Sequence, residues 1–180
     1  MILVINMCKE KLSENEFVRP VEELLKKNGI NCFTRKYDAL FEEDLGDATK
    51  VIICGTSIKD FGYLEDITKF NWIKECKKPI LGICAGMQVI GRMFGCELLD
   101  KEVIGQNQVK TIIPNELMEA EEFFSYFINT KSINLNNNFE VLARGKELDA
   151  LIKHKSKRVY GCLFHPEVMN SEIILNFCKL

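Results

Sequence analysis

No two of the eight cysteines form a C-x-x-C pair, and their spacing is irregular. A zinc site built on Cys162-x-x-His165 would need a second ligand pair, which the sequence lacks, so no metal is expected. Cys8, Cys32, Cys54, Cys76, Cys96, Cys162 and Cys178 mostly sit within or beside apolar segments, as small hydrophobes do. That usage fits a reduced, cytoplasmic protein. No apolar run approaches the ~18 residues of a membrane span, which excludes an integral helix. Met1-Ile2-Leu3-Val4-Ile5-Asn6 carries no basic leader and no cleavage site, and reads as a first strand instead of a signal peptide. The formal net charge is only −2, with Lys and Arg scattered along the chain, so there is no electrostatic footprint for nucleic acid. Repeats, low-complexity tracts, long linkers and a Gly-rich phosphate loop are all missing. The 180 residues are expected to form one domain, residues 1–180, with a full core.

What is present is an alternation of strand and helix signals. Met1 to Asn6 is a β-rich run. Phe17 to Lys27 has helical spacing through Phe17, Val21, Leu24 and Leu25, and stops at Asn28-Gly29. Ile30 to Tyr37 reads as a strand, and Val51 to Cys54 as a central parallel strand covered on both faces. A helix is predicted over Leu64 to Cys76, a buried strand over Pro79 to Ile83 and a helix-like stretch over Met87 to Phe94. The second half is strand-rich: Glu97 to Ile113, Phe123 to Ile128, Phe139 to Ala143, Ala150 to His154 and Val159 to Phe164. A last helix runs from Ser171 to about Lys179. The expected class is α/β, a flavodoxin-like open and mostly parallel sheet with helices on both faces and a strand-rich second half.

Gly82-Ile83-Cys84-Ala85-Gly86 sits where the strand ending at Ile83 meets a helix. Small residues two before and two after a nucleophile are what a tight strand-to-helix elbow demands. Such a corner lifts the thiol out of the sheet and points the free N–H groups of the next helix at it, which favours thiolate. A thiol used for acyl transfer also needs a base and a group to orient that base. Only two histidines are available. His165 closes the last strand and is followed by Pro166 and Glu167. The proline holds His165 extended, so the Glu167 carboxylate can fold back and fix the imidazole tautomer. Cys84 is read as nucleophile, His165 as base and Glu167 as the third member. His154, in Lys153-His154-Lys155, reads as a surface-turn residue without a catalytic role.

Gly82-Ile83-Cys84-Ala85-Gly86-Met87-Gln88 together with Phe164-His165-Pro166-Glu167-Val168 resembles the class I (triad) glutamine amidotransferases. Within them, Phe139 to Arg144 and Tyr160 to Val168 are most similar to the glutaminase subunits of archaeal GMP synthases. The resemblance implies that Cys84 attacks the side-chain amide of glutamine, that ammonia leaves, and that water releases glutamate from a thioester. It implies that Gln88 contacts substrate and that the Ala85 N–H supplies half of an oxyanion hole. The other half falls on Gly55 and Thr56, because Cys54-Gly55-Thr56-Ser57 stands where the family has a Ser-Gly-Gly-Pro type loop. Thr56 serves there only if the backbone does not require a glycine conformation. Phe127-Ile128-Asn129-Thr130 replaces a Ser-His-Gly-Asp type segment, so the pocket walls are expected to differ from the family's. No cofactor is implied. A separate ATP-dependent synthetase is implied as partner, receiving the ammonia. Two other readings stay open: a Cys hydrolase of a γ-glutamyl or other small amide on the same scaffold, and a non-catalytic regulatory relative.

Overall fold

A computed structural model describes residues 1–180. Its centre is one nine-stranded sheet in the order β2-β1-β3-β4-β9-β8-β7-β5-β6. The strands are β1 (Ile2–Asn6), β2 (Cys32–Lys36), β3 (Lys50–Ile53), β4 (Ile80–Ile83), β5 (Glu97–Thr111), β6 (Glu122–Asn134), β7 (Phe139–Gly145), β8 (Asp149–His154) and β9 (Val159–Cys162). From β2 to β9 every pairing is parallel. From β9 through β8, β7 and β5 to β6 every pairing is antiparallel. The parallel half follows from continuous apolar runs: every residue of β1, β4 and β9 is buried, as strands covered on both faces must be.

The helices are α1 (Glu14–Phe17), α2 (Arg19–Lys27), α3 (Glu42–Asp47), α4 (Gly62–Glu65), α5 (Trp72–Glu75), α6 (Ala85–Met93) and α7 (Glu172–Lys179). The helix expected from Phe17 is interrupted at Val18. Pro20, at the start of α2, has no N–H to extend a ladder from α1, so the chain restarts there. The helix expected over Leu64 to Cys76 divides into α4, a 3-10 turn over Ile67–Phe70, and α5. The tighter turn brings Phe70 inward, where its ring stacks on Tyr37 at 5.3 Å. The sequence pattern held no sign of α3. Its N-cap is Phe41, which is not a capping residue, and the Phe41 N–H is accepted instead by the Asp44 carboxylate at 3.0 Å.

His154 is not in a surface turn. It ends β8 and is buried, its ring centroid 4.4 Å from that of Phe94 and 5.2 Å from that of Phe139. The strand period explains the difference: Lys153 points to the opposite face, where its Nζ meets Glu116 at 3.1 Å. Burial, with the nearby Lys157 charge, pushes the His154 pKa down, and its Nδ1 accepts the Ser156 N–H at 3.2 Å.

β6 runs well past the expected Ile128 and forms a long hairpin with β5. Its inner face carries Phe123, Ser125, Phe127 and Asn129, all buried. Phe123 and Phe127 each meet Phe164 edge-on at 5.8 Å. The hairpin is thereby pinned to the end of β9, and the His165 N–H donates to the Tyr126 carbonyl at 2.8 Å. Truncating Phe127 to alanine should cost about 3–5 kcal/mol of stability, the usual loss for a fully buried aromatic. Urea unfolding of Phe127→Ala against wild type measures this, with a loss under about 1 kcal/mol contradicting the pinning.

Candidate active site

The parallel strands deliver the site, because their C-terminal ends share one rim. The loop after β1 brings Cys8 and Lys9, the loop after β3 brings Gly55 and Thr56, β4 leads directly into Cys84, and β9 leads to His165. At the elbow the backbone is held in a costly shape. Cys84 has φ +48 and ψ −102, a region that L-residues rarely adopt and that costs on the order of 1–3 kcal/mol. The glycines on either side allow it by close approach. A Cβ on Gly82 would lie 2.5 Å from the Gly86 carbonyl, and one on Gly86 would lie 2.3 Å from the Ile53 oxygen. The Cys84 N–H donates to the Cys162 carbonyl at 2.8 Å, and its own carbonyl accepts the first helical bond, from Gln88 N–H at 3.1 Å.

His165 Nδ1 and Glu167 Oε1 are 2.7 Å apart, and both side chains are buried. Phe17 packs against the imidazole with centroids 5.4 Å apart. Pro166 and Glu167 form a turn closed by bonds from the Val168 and Met169 N–H groups to the His165 carbonyl, at 3.0 and 3.2 Å. The ring edge faces Cys84. A Cβ added to Gly55 would stand 2.9 Å from His165 Cε1 and 3.5 Å from Cys84 Cβ. His165 Nε2 has no hydrogen-bond partner. Burial opposes the imidazolium, but negative charge at Cys84 and Glu167 outweighs it and holds His165 well above its usual pKa.

The cavity in front of the thiol is almost closed. About 10 Å³ remains between Thr56, Asp60, Tyr63, Cys84, Gln88 and Thr130, room for little more than one water. Three contacts fill it. The Cys84 thiol donates to the Ile128 carbonyl at 3.6 Å, the Tyr63 hydroxyl donates to Gln88 Oε1 at 2.6 Å, and Gln88 Nε2 donates to the Lys131 carbonyl at 3.2 Å. The loop Cys54-Gly55-Thr56-Ser57 lies beside Cys84, and neither Gly55 nor Thr56 has a positive φ, so the conformation of residue 56 does not demand glycine. Gly55 is needed for a different reason, its close approach to His165 and Cys84. The backbone N–H groups of Gly55, Thr56 and Ala85 form no hydrogen bond.

The structure thus gathers Cys84, His165, Glu167, Gly55, Thr56, Ala85 and Gln88 in one place. Sequence reasoning missed Tyr63, Asp60 and the Ile128 carbonyl. Tyr63 was indistinguishable from an ordinary helix-flanking aromatic, and a backbone carbonyl leaves no trace in side-chain patterns. Cys162 is buried in β9 with its thiol on the Gly82 carbonyl at 3.7 Å. Nowhere do three or more His, Cys, Asp or Glu side chains converge as metal ligands would.

The two histidines should titrate on opposite sides of the ordinary imidazole value of about 6.5. His165 binds its proton more tightly when folded, so its contribution to stability is complete below about 6.5 and is lost as pH rises through its folded pKa. His154 runs the other way: its contribution is complete above about 6.5 and is lost as pH falls towards its folded pKa. Imidazole proton NMR should place His165 above and His154 below the unfolded value. Cys84→Ala should move His165 down and leave His154 where it was; a wild-type His165 that titrates as low as His154 would contradict the charge arrangement.

Residues 12–177 match the family Glutamine amidotransferase class-I. A glutamine-hydrolysing GMP synthase subunit of Methanosphaera stadtmanae is 33% identical over 136 residues, 70% of this chain and 70% of that protein. The Pyrococcus abyssi protein of the same name is 34% identical over 143 residues, 70% of this chain and 71% of its own length. Its Methanococcus aeolicus counterpart is 36% identical, with the match spanning 58% of this chain and 61% of that protein. Among solved structures, a GMP synthase subunit of Thermoplasma acidophilum superposes with a TM-score of 0.88 at 21% identity, covering 99% of this chain and 92% of that one. A glutamine amidotransferase of Thermotoga maritima gives 0.74 at 16% identity, over 99% and 80% of the two chains. The fold is thus that of these solved structures, the family's model matches this chain almost end to end, and the chain belongs to the class-I glutamine amidotransferases.

Proposed function

We propose that this chain is the glutaminase subunit of an amidotransferase, hydrolysing glutamine through Cys84, His165 and Glu167 and passing ammonia to a separate ATP-dependent synthetase. The observation that carries the reading is the buried His165–Glu167 pair set against a cysteine on a strained elbow. In the forward half-reaction His165 Nε2 holds the proton from Cys84, as its raised pKa favours, and the sulfur pair forms a C–S bond to the amide carbon. The carbonyl π pair moves to oxygen, stabilised by the Thr56 and Ala85 N–H groups. When the oxyanion collapses the C–N bond breaks, and the imidazolium proton goes to the departing nitrogen to give ammonia. Water then adds to the thioester with His165 as base, the C–S bond breaks, glutamate leaves and the thiol regains its proton. Glu167 keeps Nδ1 protonated, so Nε2 is the nitrogen that gives its proton to the leaving group and then takes one from water. Gln88 contacts the substrate.

Glutamine cannot enter a cavity of about 10 Å³, so β6 and the loop after β3 must part before catalysis. The contact that has to break first is informative. It is the bond from the Cys84 thiol to the Ile128 carbonyl, which ties the elbow to β6. The names of the relatives point to GMP synthesis as the use of the ammonia and to its delivery to another protein chain. No helix is long and apolar enough to cross a membrane. Eight free thiols support a reducing, cytoplasmic setting. One observation favours a second reading, hydrolysis of a γ-glutamyl or other small amide: the wall formed by Ile128, Asn129 and Thr130 is neutral throughout.

The decisive test is glutamine turnover with the synthetase partner present. Wild type should release glutamate and ammonia, Cys84→Ala should release none, and Glu167→Gln should lower kcat by on the order of 10³–10⁴. A diazo-oxo-norleucine should label Cys84, and its failure to do so even with the partner bound would rule out the amidotransferase reading. Turnover of γ-glutamyl amides without glutamine would favour the second.

A further inference from the structure

The loop after β3 is tied down by a carboxylate with no role in the chemistry above. Asp60 Oδ2 accepts two bonds of 2.7 Å, one from the Thr56 hydroxyl and one from the Lys9 N–H, and Oδ1 accepts the Gly62 N–H at 3.3 Å. Asp60 therefore joins the loop after β1 to the loop after β3, which lines the cavity at Cys84. The neighbouring peptide, Gly55–Thr56, is held at its other end. The Gly55 carbonyl faces the buried Cys8 thiol, which donates weakly across 3.9 Å. Burial raises the Cys8 pKa to about 11, so that thiol keeps its proton and its donor role at neutral pH. The chain has no cis peptide bond, and in a trans peptide the C=O and N–H point in opposite directions. With its carbonyl turned to Cys8, the peptide turns its unbonded Thr56 N–H away from Cys8, and Thr56 lines the same cavity as Cys84 and Ala85.

We propose that Asp60 is a positioning residue for amide hydrolysis: by gripping the Thr56 hydroxyl and the Lys9 N–H it fixes the Gly55–Thr56 peptide as an oxyanion donor before any substrate or partner arrives. This rests on the glutaminase reading for its substrate but not for its geometry. A glycine-glycine loop can rotate such a peptide freely. Here residue 56 is β-branched and its hydroxyl is held, so the rotation is blocked at the side chain as well as at the carbonyl.

Two reagents for the same thiol separate positioning from mere access. p-Nitrophenyl acetate acetylates Cys84 through a tetrahedral oxyanion: the thiolate pair forms the C–S bond, the π pair moves to oxygen, and collapse expels p-nitrophenolate. Iodoacetamide alkylates by direct displacement of iodide and forms no oxyanion. In the full-length chain, Asp60→Ala and Thr56→Val should each slow acetylation of Cys84, located by peptide mass, by roughly 10–100-fold, within reach of what loss of one oxyanion donor costs. Alkylation should stay within about twofold, because no donor is used in it. Asp60→Asn should recover most of the loss seen in Asp60→Ala, since a single oxygen takes both 2.7 Å bonds. Equal slowing of both reactions, or slowing of neither, would overturn the proposal, as would a wild type that is alkylated but never acetylated. Crystal structures of wild type and Asp60→Ala decide the matter independently of reactivity: the Gly55 carbonyl should leave Cys8 only in the variant, and an unmoved peptide would count against Asp60. Acetylation of wild type without any glutamine turnover, even with the partner bound, would defeat the glutaminase reading and leave the Asp60 comparison intact.

Discussion

The approach of α6 to β3 and β4 at van der Waals limits is the constraint from which the rest of the site follows. With only hydrogen at Gly82 and Gly86, the helix can start directly on top of the sheet, and the chain has to turn within the single residue Cys84. The strain in that residue is offset by the burial of nearly all of α6 and by the bond from the Cys84 N–H to β9. The same closeness aims the unpaired N–H groups at the start of α6 towards the thiol. It also fixes where β9 must lie, since the pairing of Gly82 with Gly161 sets the register that brings His165 to Cys84. Gly161 has its own close contact, with Met87 of α6, so strand and helix lock each other. A larger residue at any of these three glycines would displace Cys84 from His165.

Much of this was written plainly in the residues. The apolar runs of β1, β3, β4 and β9 are legible because a parallel strand buried on both faces has no polar positions to confuse the pattern. The elbow and His165-Pro166-Glu167 were legible because their chemistry depends on short local spacing. What stayed hidden depends on long-range contact. The extension of β6 through Asn129, Thr130 and Lys131 has little strand signal of its own. It is held by pairing with β5 and by Asn129 Nδ2, which donates to the Lys101 and Lys131 carbonyls at 3.2 and 3.3 Å. His154 was misplaced because two flanking lysines look like a solvated turn, whereas the strand runs through His154 and sends Lys153 to the face opposite the imidazole.

The altered segments share one physical character. Where the family resemblance leads one to expect charge or conformational freedom, this chain has neutral groups and hydrogen-bonded order. Thr56 stands in a loop expected to be glycine-rich, and its hydroxyl is held. Ile128 to Thr130 offers no ion, and its first residue lays a backbone carbonyl on the nucleophile. Gln88 has its carbonyl and one N–H engaged within the protein, by Tyr63 and by the Lys131 carbonyl. Burial keeps the Tyr63 phenol protonated and hence a donor. The Cys84 and Gln88 contacts join the elbow and α6 to the hairpin, through Ile128 and Lys131, and to α4, through Tyr63, while the Thr56 hydroxyl bond orders the loop after β3 from within.

A closed pocket of this kind sets a limit on how the site can respond to substrate. The closing contacts are a weak S–H bond and two bonds to one buried amide, a few kcal/mol between them at the usual worth of a net hydrogen bond. That is small enough for a substrate, or a protein bound at the hairpin, to offset by differential affinity. The loop after β3 is a different case, because Asp60 joins it to a second loop and the peptide beside it is held at both ends. Opening is therefore expected to move the hairpin and leave Gly55 and Thr56 in place. The moving part carries Ile128, Asn129 and Thr130, which decide what is admitted. The fixed part carries the thiol, the His–Glu pair and the unbonded N–H groups, which decide what happens to it. Separating the two in this way lets admission change through β6 alone while the chemistry at Cys84 stays as built.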